Sequence, residues 1–185
     1  MFELIEESDR ELLIFLNNLG LEDYDRFWST VTLIETWVPL YIIFGILIYF
    51  TYKNQKPWLQ IAVGVLTFLL TMTLTASVKN LVRRLRPSNE SELTELLRVL
   101  TSAESYSFFS GHAANSFALT TFVVLAVRSK YGWAPVFYLW PLLFSFSRIY
   151  VGVHYPTDIV VGALVGLLMG SLMFSFQQRY FLPRS

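Results

Sequence analysis

The stretch WLQIAVGVLTFLLTMTLTASV, from Trp58 to Val78, contains no charged residue. A helix needs about 20 apolar residues to cross a bilayer, and this stretch meets that length. It reads as a membrane span, and its neighbours read the same way. Upstream, Trp37 to Tyr52 forms a second apolar run. Downstream lie three more, about Ala113 to Val127, Trp133 to Phe146, and Ile159 to Phe176. The runs from Ala113 and from Trp133 are short for a span, but polar residues at their ends can sit in headgroups or in a protein-lined cavity. The expected fold is all-α: a polytopic membrane helix bundle of about five transmembrane helices with an amphipathic helix at the N-terminus.

Composition agrees with that class. Of 185 residues, 54% are hydrophobic and only 15% charged, against about 25% charged in a soluble domain. The mean hydropathy is +0.48. The length suits one domain, residues 1–185. Formal net charge is zero, so no general field draws the chain to nucleic acid. Without cysteine it has neither disulfides nor thiolate metal sites. Neither a metal nor a cofactor is expected.

The first 30 residues differ from the rest. Leu4, Ile5, Leu12, Leu13, Phe15, Leu16 and Leu19 alternate with acids, which reads as an amphipathic helix lying on the membrane or capping the bundle. The acidic start, Glu3, Glu6, Glu7, Asp9 and Glu11, does not read as a secretory signal. Asn18, Gly20 and the acids Glu22, Asp23 and Asp25 separate this helix from the first apolar run. The long loop from about Asn80 to Phe109 holds Leu93, Leu96, Leu97 and Leu100 at helical spacing, so a short interfacial helix is expected there, with Ser91 at its start. Gly162, Gly166 and Gly170 repeat every fourth residue, a face on which another helix packs closely.

With five crossings, the N-terminus, the long loop and the loop after Phe146 share one face. The opposite face carries Lys53, Lys56, Arg128, Lys130, Arg179 and Arg184 and no acid. Short basic turns free of acids read as cytoplasmic. The first face is then extracytoplasmic, on a bacterial-type inner membrane.

Three groups of polar residues fall at span ends on that first face, where ionisable groups are functional by default. Lys79 and Arg86 are seven apart, two turns of a continuing helix, with Arg83 on a neighbouring face and Pro87 as the stop. Two cations on one face can clamp a phosphate, although basic residues also snorkel to headgroups. Ser110, Gly111 and His112 open the third span, where a helix N-terminus offers N–H groups to an anion and His112 can donate a proton. The plainer alternative is a serine cap beside an interfacial histidine. Ser147, Arg148, His154 and Asp158 lie between the last two spans. Asp158, four residues after His154, can hold one imidazole nitrogen and leave the other free as a nucleophile, or can simply close a turn. Together they amount to cations, a His–Asp pair, a proton donor and a helix N-terminus on one face. That is equipment for phosphoryl transfer. On these grounds alone, which histidine attacks stays open.

The series Lys79-x6-Arg86-Pro87, Ser110-Gly111-His112 and Ser147-Arg148-x5-His154-x3-Asp158 resembles the three signature motifs of the type 2 phosphatidic acid phosphatase family. With their connecting spans the motifs cover a core of roughly residues 58–178. The family's second motif usually reads Pro-Ser-Gly-His; Phe109 stands here in place of that proline. Most membrane members have six spans, one more than this chain shows. The resemblance implies that His154 attacks phosphorus and forms a phosphohistidine. Asp158 would orient it and His112 would protonate the leaving oxygen. Lys79, Arg86 and Arg148, with Ser110 and the Gly111 N–H, would hold the phosphate oxygens.

The implied activity is that of a metal-independent lipid phosphatase, with a lipid phosphate and the bilayer as partners. Undecaprenyl pyrophosphate is the favoured substrate; phosphatidylglycerol phosphate, phosphatidate and lipid A 1-phosphate are the alternatives. The vanadium haloperoxidases share the motifs but are soluble and much larger. A non-catalytic binding or transport module would be expected to lack a histidine or the aspartate, and a bare scaffold would not need the aligned cations. The glycine ladder leaves open whether it packs within one chain or between two.

Overall fold

The computed structural model describes residues 2–181, and among these it contains helices, turns and loops but no strand. Eight α-helices follow in order: α1 (Phe2–Asn18), α2 (Asp25–Val31), α3 (Val38–Thr51), α4 (Pro57–Val82), α5 (Ser91–Thr94), α6 (Gly111–Val127), α7 (Leu139–Tyr150) and α8 (Pro156–Phe181). Every apolar run read from the sequence is helical, so the all-α class holds.

Among the described residues, fewer helices than expected have the length and composition of a span. By length and composition two stretches, Pro57–Thr94 and Pro156–Phe181, can cross a membrane. A third is possible if the pair Glu22–Val31 and Glu35–Thr51, bent by 68°, acts as one span. The expected count of about five is not reached because α6 and α7 have 17 and 12 residues.

The short α6 is the axis of the bundle. Ala113, Ala114, Ala118, Phe122, Val123 and Val127 are all fully buried, so α6 is wrapped by protein on every side. It packs on α3, α4, α7 and α8. Its closest partner is α8. A Cβ placed on Gly162, Gly166 or Gly170 would stand 2.4–2.7 Å from the carbonyl oxygens of Ser110, Ala114 and Ala118. The glycine ladder therefore packs within the chain, backbone against backbone.

The outward faces carry the expected apolar band. Ile42, Ile46, Val65, Leu69, Leu164, Leu168 and Leu172 are exposed on α3, α4 and α8, an arrangement that suits lipid rather than water. Along the inner face of α4, the hydroxyls of Thr67, Thr71 and Thr75 each donate to the carbonyl four residues earlier, at 2.8 Å. Polar side chains thus sit in the interior without an external partner.

The amphipathic α1 caps the bundle, packing on α7 and α8. Leu13 is fully buried beside Leu93, Leu97, Ile149 and Tyr155. Asn17 Nδ2 donates to the carbonyls of Ile149 and Tyr150 at 3.0 and 2.8 Å, and its Oδ1 accepts from the Arg98 N–H at 2.7 Å. One buried amide thereby fixes α1 to both the long loop and the end of α7. Next to it, Arg98 grips Asp25 at 2.6 and 2.7 Å. Tyr150 donates to Asp25 at 2.8 Å and stacks on Trp28. The expected loop helix shrinks to the single turn α5, and Glu90 rather than Ser91 occupies its cap. Of the basic residues assigned to the opposite face, Arg184 lies outside the described residues.

Candidate active site

All three motifs meet at one end of the bundle. His154 lies in the turn before α8 and is 1% exposed. Its Nδ1 is 3.1 Å from Asp158 Oδ2. This is the i, i+4 contact foreseen from the sequence, and it is built by the first turn of α8, which opens at Pro156 with its fixed φ. Asp158 has no exposure at all. Oδ2 also accepts from the Tyr155 N–H at 3.1 Å and from the Ser107 hydroxyl. Oδ1 accepts from Arg84 Nη1 at 3.0 Å. With Nδ1–H donated to the carboxylate, Nε2 carries the lone pair, and Arg86 Nη1 points at it from 3.0 Å.

Burial and the surrounding cations hold the His154 imidazole well below its ordinary range; after burial, Arg86, Lys79, Arg148 and Arg84 act in that order. A buried, neutral imidazole with one nitrogen fixed by a carboxylate is equipped to be a nucleophile.

The basic run before Pro87 does not form one helix. α4 ends at Val82, and Arg83 turns the chain out in the left-handed region at φ 55°. The helical register expected between Lys79 and Arg86 is therefore replaced by a helix end and a loop. The loop still brings both residues to the site. Lys79 Nζ donates to the Ser107 carbonyl at 2.8 Å and to that of Tyr106. Arg86 is held by Ser105 O at 2.6 Å and Val153 O at 2.9 Å. Arg83 stays exposed and, among the described residues, bonds its own helix end at Asn80 O.

Ser110 caps α6, its Oγ accepting from the Ala113 N–H at 3.4 Å, and it is fully buried. The plainer of the two readings for this serine, a helix cap, is thus what its hydroxyl does. Gly111 lines a cavity of about 590 Å³ together with Lys79, Asn80, Glu104, Tyr106 and Asn115. His112 lies with its ring 4.6 Å from that of Phe144, and its Nε2 is 3.3 Å from Thr32 O. It faces a smaller, apolar cavity of about 200 Å³ that shares Met72, Gly111 and Asn115 with the larger one. Arg148, buried near the end of α7, reaches Thr32 Oγ1 at 2.5 Å.

Four contributors were not read from the sequence: Asp9, Thr32, Arg84 and Ser107. Arg84 stood in a run with two other arginines, and assuming a continuous helix hid its role. The signal that could have found it is Asp158, a buried carboxylate that requires a cation.

The PAP2 superfamily profile matches residues 57–182, which contain all three motifs. This chain belongs to the PAP2 superfamily. The resemblance read from the motifs holds, and this PAP2 protein is an integral membrane lipid phosphatase, a hydrolase of phosphate esters. It is 34% identical to the lipid A 4'-phosphatase of Bacteroides thetaiotaomicron over 183 residues, covering 94% of this chain and 79% of that one. It is 30% identical to the undecaprenyl-diphosphatase of Sulfolobus acidocaldarius, covering 84% of this chain and 64% of that one. In fold it matches the transmembrane PAP2-type phosphatidylglycerolphosphate phosphatase of Bacillus subtilis. The TM-score there is 0.77 at 22% identity, over 98% of this chain and 90% of that one.

Proposed function

We propose that this PAP2 phosphatase removes a phosphate from a lipid-linked sugar of the lipid A type through a phosphohistidine. The observation that carries the chemistry is the His154 geometry: Nδ1 is held by Asp158 while Nε2 faces the Arg86 guanidinium. A phosphate entering beside Arg86 meets the Nε2 lone pair. Nε2 bonds to phosphorus as the bond from phosphorus to the lipid oxygen breaks. His112, protonated once the phosphate anion is bound beside it, gives its proton to that oxygen. Water then attacks phosphorus, His112 takes the water's proton, and the N–P bond breaks to release phosphate and free His154. Lys79, Arg86 and Arg148, with Ser110 and the Gly111 N–H, neutralise the phosphate oxygens. Such positioning by fixed cations supplies most of the catalysis in phosphoryl transfer. No step calls for a metal.

The Bacteroides relative supports lipid A as the substrate class. Undecaprenyl pyrophosphate is the second reading, supported by the Sulfolobus relative. The domain is read as one unit over 1–185 with its core at 58–178. Its site is read as opening to the extracytoplasmic side of a bacterial inner membrane, because the turns at the other end carry Lys53, Lys56, Arg128 and Lys130 without acids.

The test is phosphate release by protein in detergent, with EDTA present, from lipid A, undecaprenyl pyrophosphate, phosphatidylglycerol phosphate and phosphatidate. Release should survive EDTA, vanish in His154→Ala, and be fastest from lipid A. A faster rate on undecaprenyl pyrophosphate would move the assignment to the second reading. Unchanged release in His154→Ala would overturn the site.

A further inference from the structure

The family match begins at residue 57, yet one of the most heavily bonded carboxylates near His154 lies on α1. Asp9 is buried. Its Oδ2 accepts from Arg84 Nη2 at 2.8 Å. The same carboxylate accepts from the Thr157 N–H at 2.9 Å and from the Thr157 hydroxyl. Arg84 in turn spends its other terminal nitrogen on Asp158 Oδ1, at 3.0 Å, and on Thr157 Oγ1, at 3.0 Å. Its guanidinium lies over the Tyr155 ring, 3.7 Å from the centroid. Three residues in the turn that carries His154 and Asp158 are thus gripped from outside that turn. Two of the grips end at Asp9.

We propose that Asp9 and Arg84 are positioning residues for the PAP2 reaction: α1 supplies a carboxylate that fixes Arg84, and Arg84 fixes Asp158 against His154. The inference rests on the reading of His154 and Asp158 given above.

The physical reason is that Asp158 must stay ionised and immobile in a dry site. A buried carboxylate without a cation takes up a proton or swings to find one. Arg84 supplies that cation, but an arginine shared between two carboxylates has its planar fork set by both. Without Asp9, the guanidinium keeps Asp158 as its one carboxylate partner and carries a larger uncompensated charge. The charged groups around this chain of contacts are few. Arg84, Arg86, Lys79 and Arg148 act on His154. On the other side, Glu90 accepts from the Tyr155 hydroxyl at 2.6 Å and pairs with Arg10 at 2.8 Å. The two substitutions therefore push in opposite directions. Removing Arg84 takes a cation from the neighbourhood of His154, which then holds its proton to higher pH. Removing the charge of Asp9 leaves Arg84 unneutralised, which drives His154 to lower pH.

The experiment uses the full chain in detergent, with phosphate release from lipid A or from whichever lipid proves fastest. The variants are Asp9→Asn, Arg84→Gln, Arg84→Lys, the Asp9→Asn/Arg84→Gln double, Arg10→Ala at the next position of α1, and His154→Ala. Only monodisperse, helical preparations are compared. In Asp9→Asn and Arg84→Gln, kcat should fall roughly tenfold or more, the scale on which losing a group that holds a reacting residue is felt, while KM stays within about twofold. Arg84→Lys should recover part of that loss. The acid limb of kcat/KM should move up in Arg84→Gln and not in Asp9→Asn. The double variant should be no worse than the worse single one, because the two act in series. Arg10→Ala should change neither constant.

A merely structural role for Asp9 predicts something else: less stable protein, losses that multiply in the double variant, and no separation of the two pH profiles. Either multiplied losses or full kcat in folded Asp9→Asn overturns the proposal. If His154→Ala retains activity, the reading of the site has failed instead. If Asp9→Asn cannot be purified folded, Arg84→Gln and Arg84→Lys decide it through kcat and the acid limb.

Discussion

Arg86 Nη1 stands 3.0 Å from His154 Nε2, so the proposed nucleophile and the proposed phosphate ligand already touch in the free protein. The nitrogen that would attack is the one that accepts from the guanidinium. A phosphate can reach Nε2 only by taking over that hydrogen bond, and in doing so it inherits the cation. Arg86→Lys keeps charge and loses the planar fork. Phosphate release should fall by roughly two orders of magnitude, the loss typical of one donor aimed at a transition-state oxyanion. Steady-state kinetics on the folded variant checks it; a loss under about threefold would argue that the guanidinium geometry is incidental.

The two basic residues that end α4 should behave differently. Lys79 lines the 590 Å³ cavity and is held by loop carbonyls, whereas Arg83 points outward. Lys79→Ala should lower kcat/KM by roughly a hundredfold, and Arg83→Ala by less than about twofold, as surface charges usually do. Equal losses, or the reverse order, would sink the assignment of Lys79 to the phosphate clamp.

His154 also ties stability to pH. Its imidazole is held well below the ordinary range in the folded chain, by burial first and then by Arg86, Lys79 and Arg148. In the unfolded chain it titrates near about 6.5. Below that pH the unfolded state binds a proton that the folded state refuses, so stability falls as pH drops and is fully present above it. The apparent Tm in detergent should therefore drop more steeply between about pH 7.5 and 5 for the native chain than for His154→Asn. Parallel slopes would mean that the imidazole does not resist protonation.

Packing between α6 and α8 can be probed without touching the site. A methyl at Gly166 would lie 2.4 Å from Ala114 O and 2.8 Å from Phe117 Cβ, and neither can yield cheaply. Gly166→Ala should destabilise by about 1–3 kcal/mol, the usual cost of overpacking. Gly45 has nothing within 4 Å of its would-be Cβ, so Gly45→Ala should leave the Tm unchanged. Thermal unfolding of the pair side by side is the measurement.

The sequence disclosed the parts of this molecule that depend on local order. The apolar runs became helices because every backbone group in lipid must bond within its own segment. His154 and Asp158 met because four residues make one helical turn. What stayed hidden depends on distant partners. Asp9 looked like one acid among several, yet its carboxylate bonds Thr157 at the start of α8. Thr32, in the elbow between α2 and α3, is 116 residues from Arg148, and no spacing links them. The basic run misled for a local reason: Arg83 takes a left-handed turn that its side chain does not advertise. The span count is not confirmed by length and composition, because α6 is short and wrapped in protein, and periodicity does not separate burial in protein from burial in lipid.

The bond from Asp9 to Thr157 crosses 148 residues of chain. During synthesis Arg84 follows α1 within about 75 residues, but the Thr157 partner of the Asp9 carboxylate exists only once α8 has begun. Closure of that contact is then a late event in biogenesis, and a nascent chain halted before α8 carries every motif residue except Asp158, with an open door beside it.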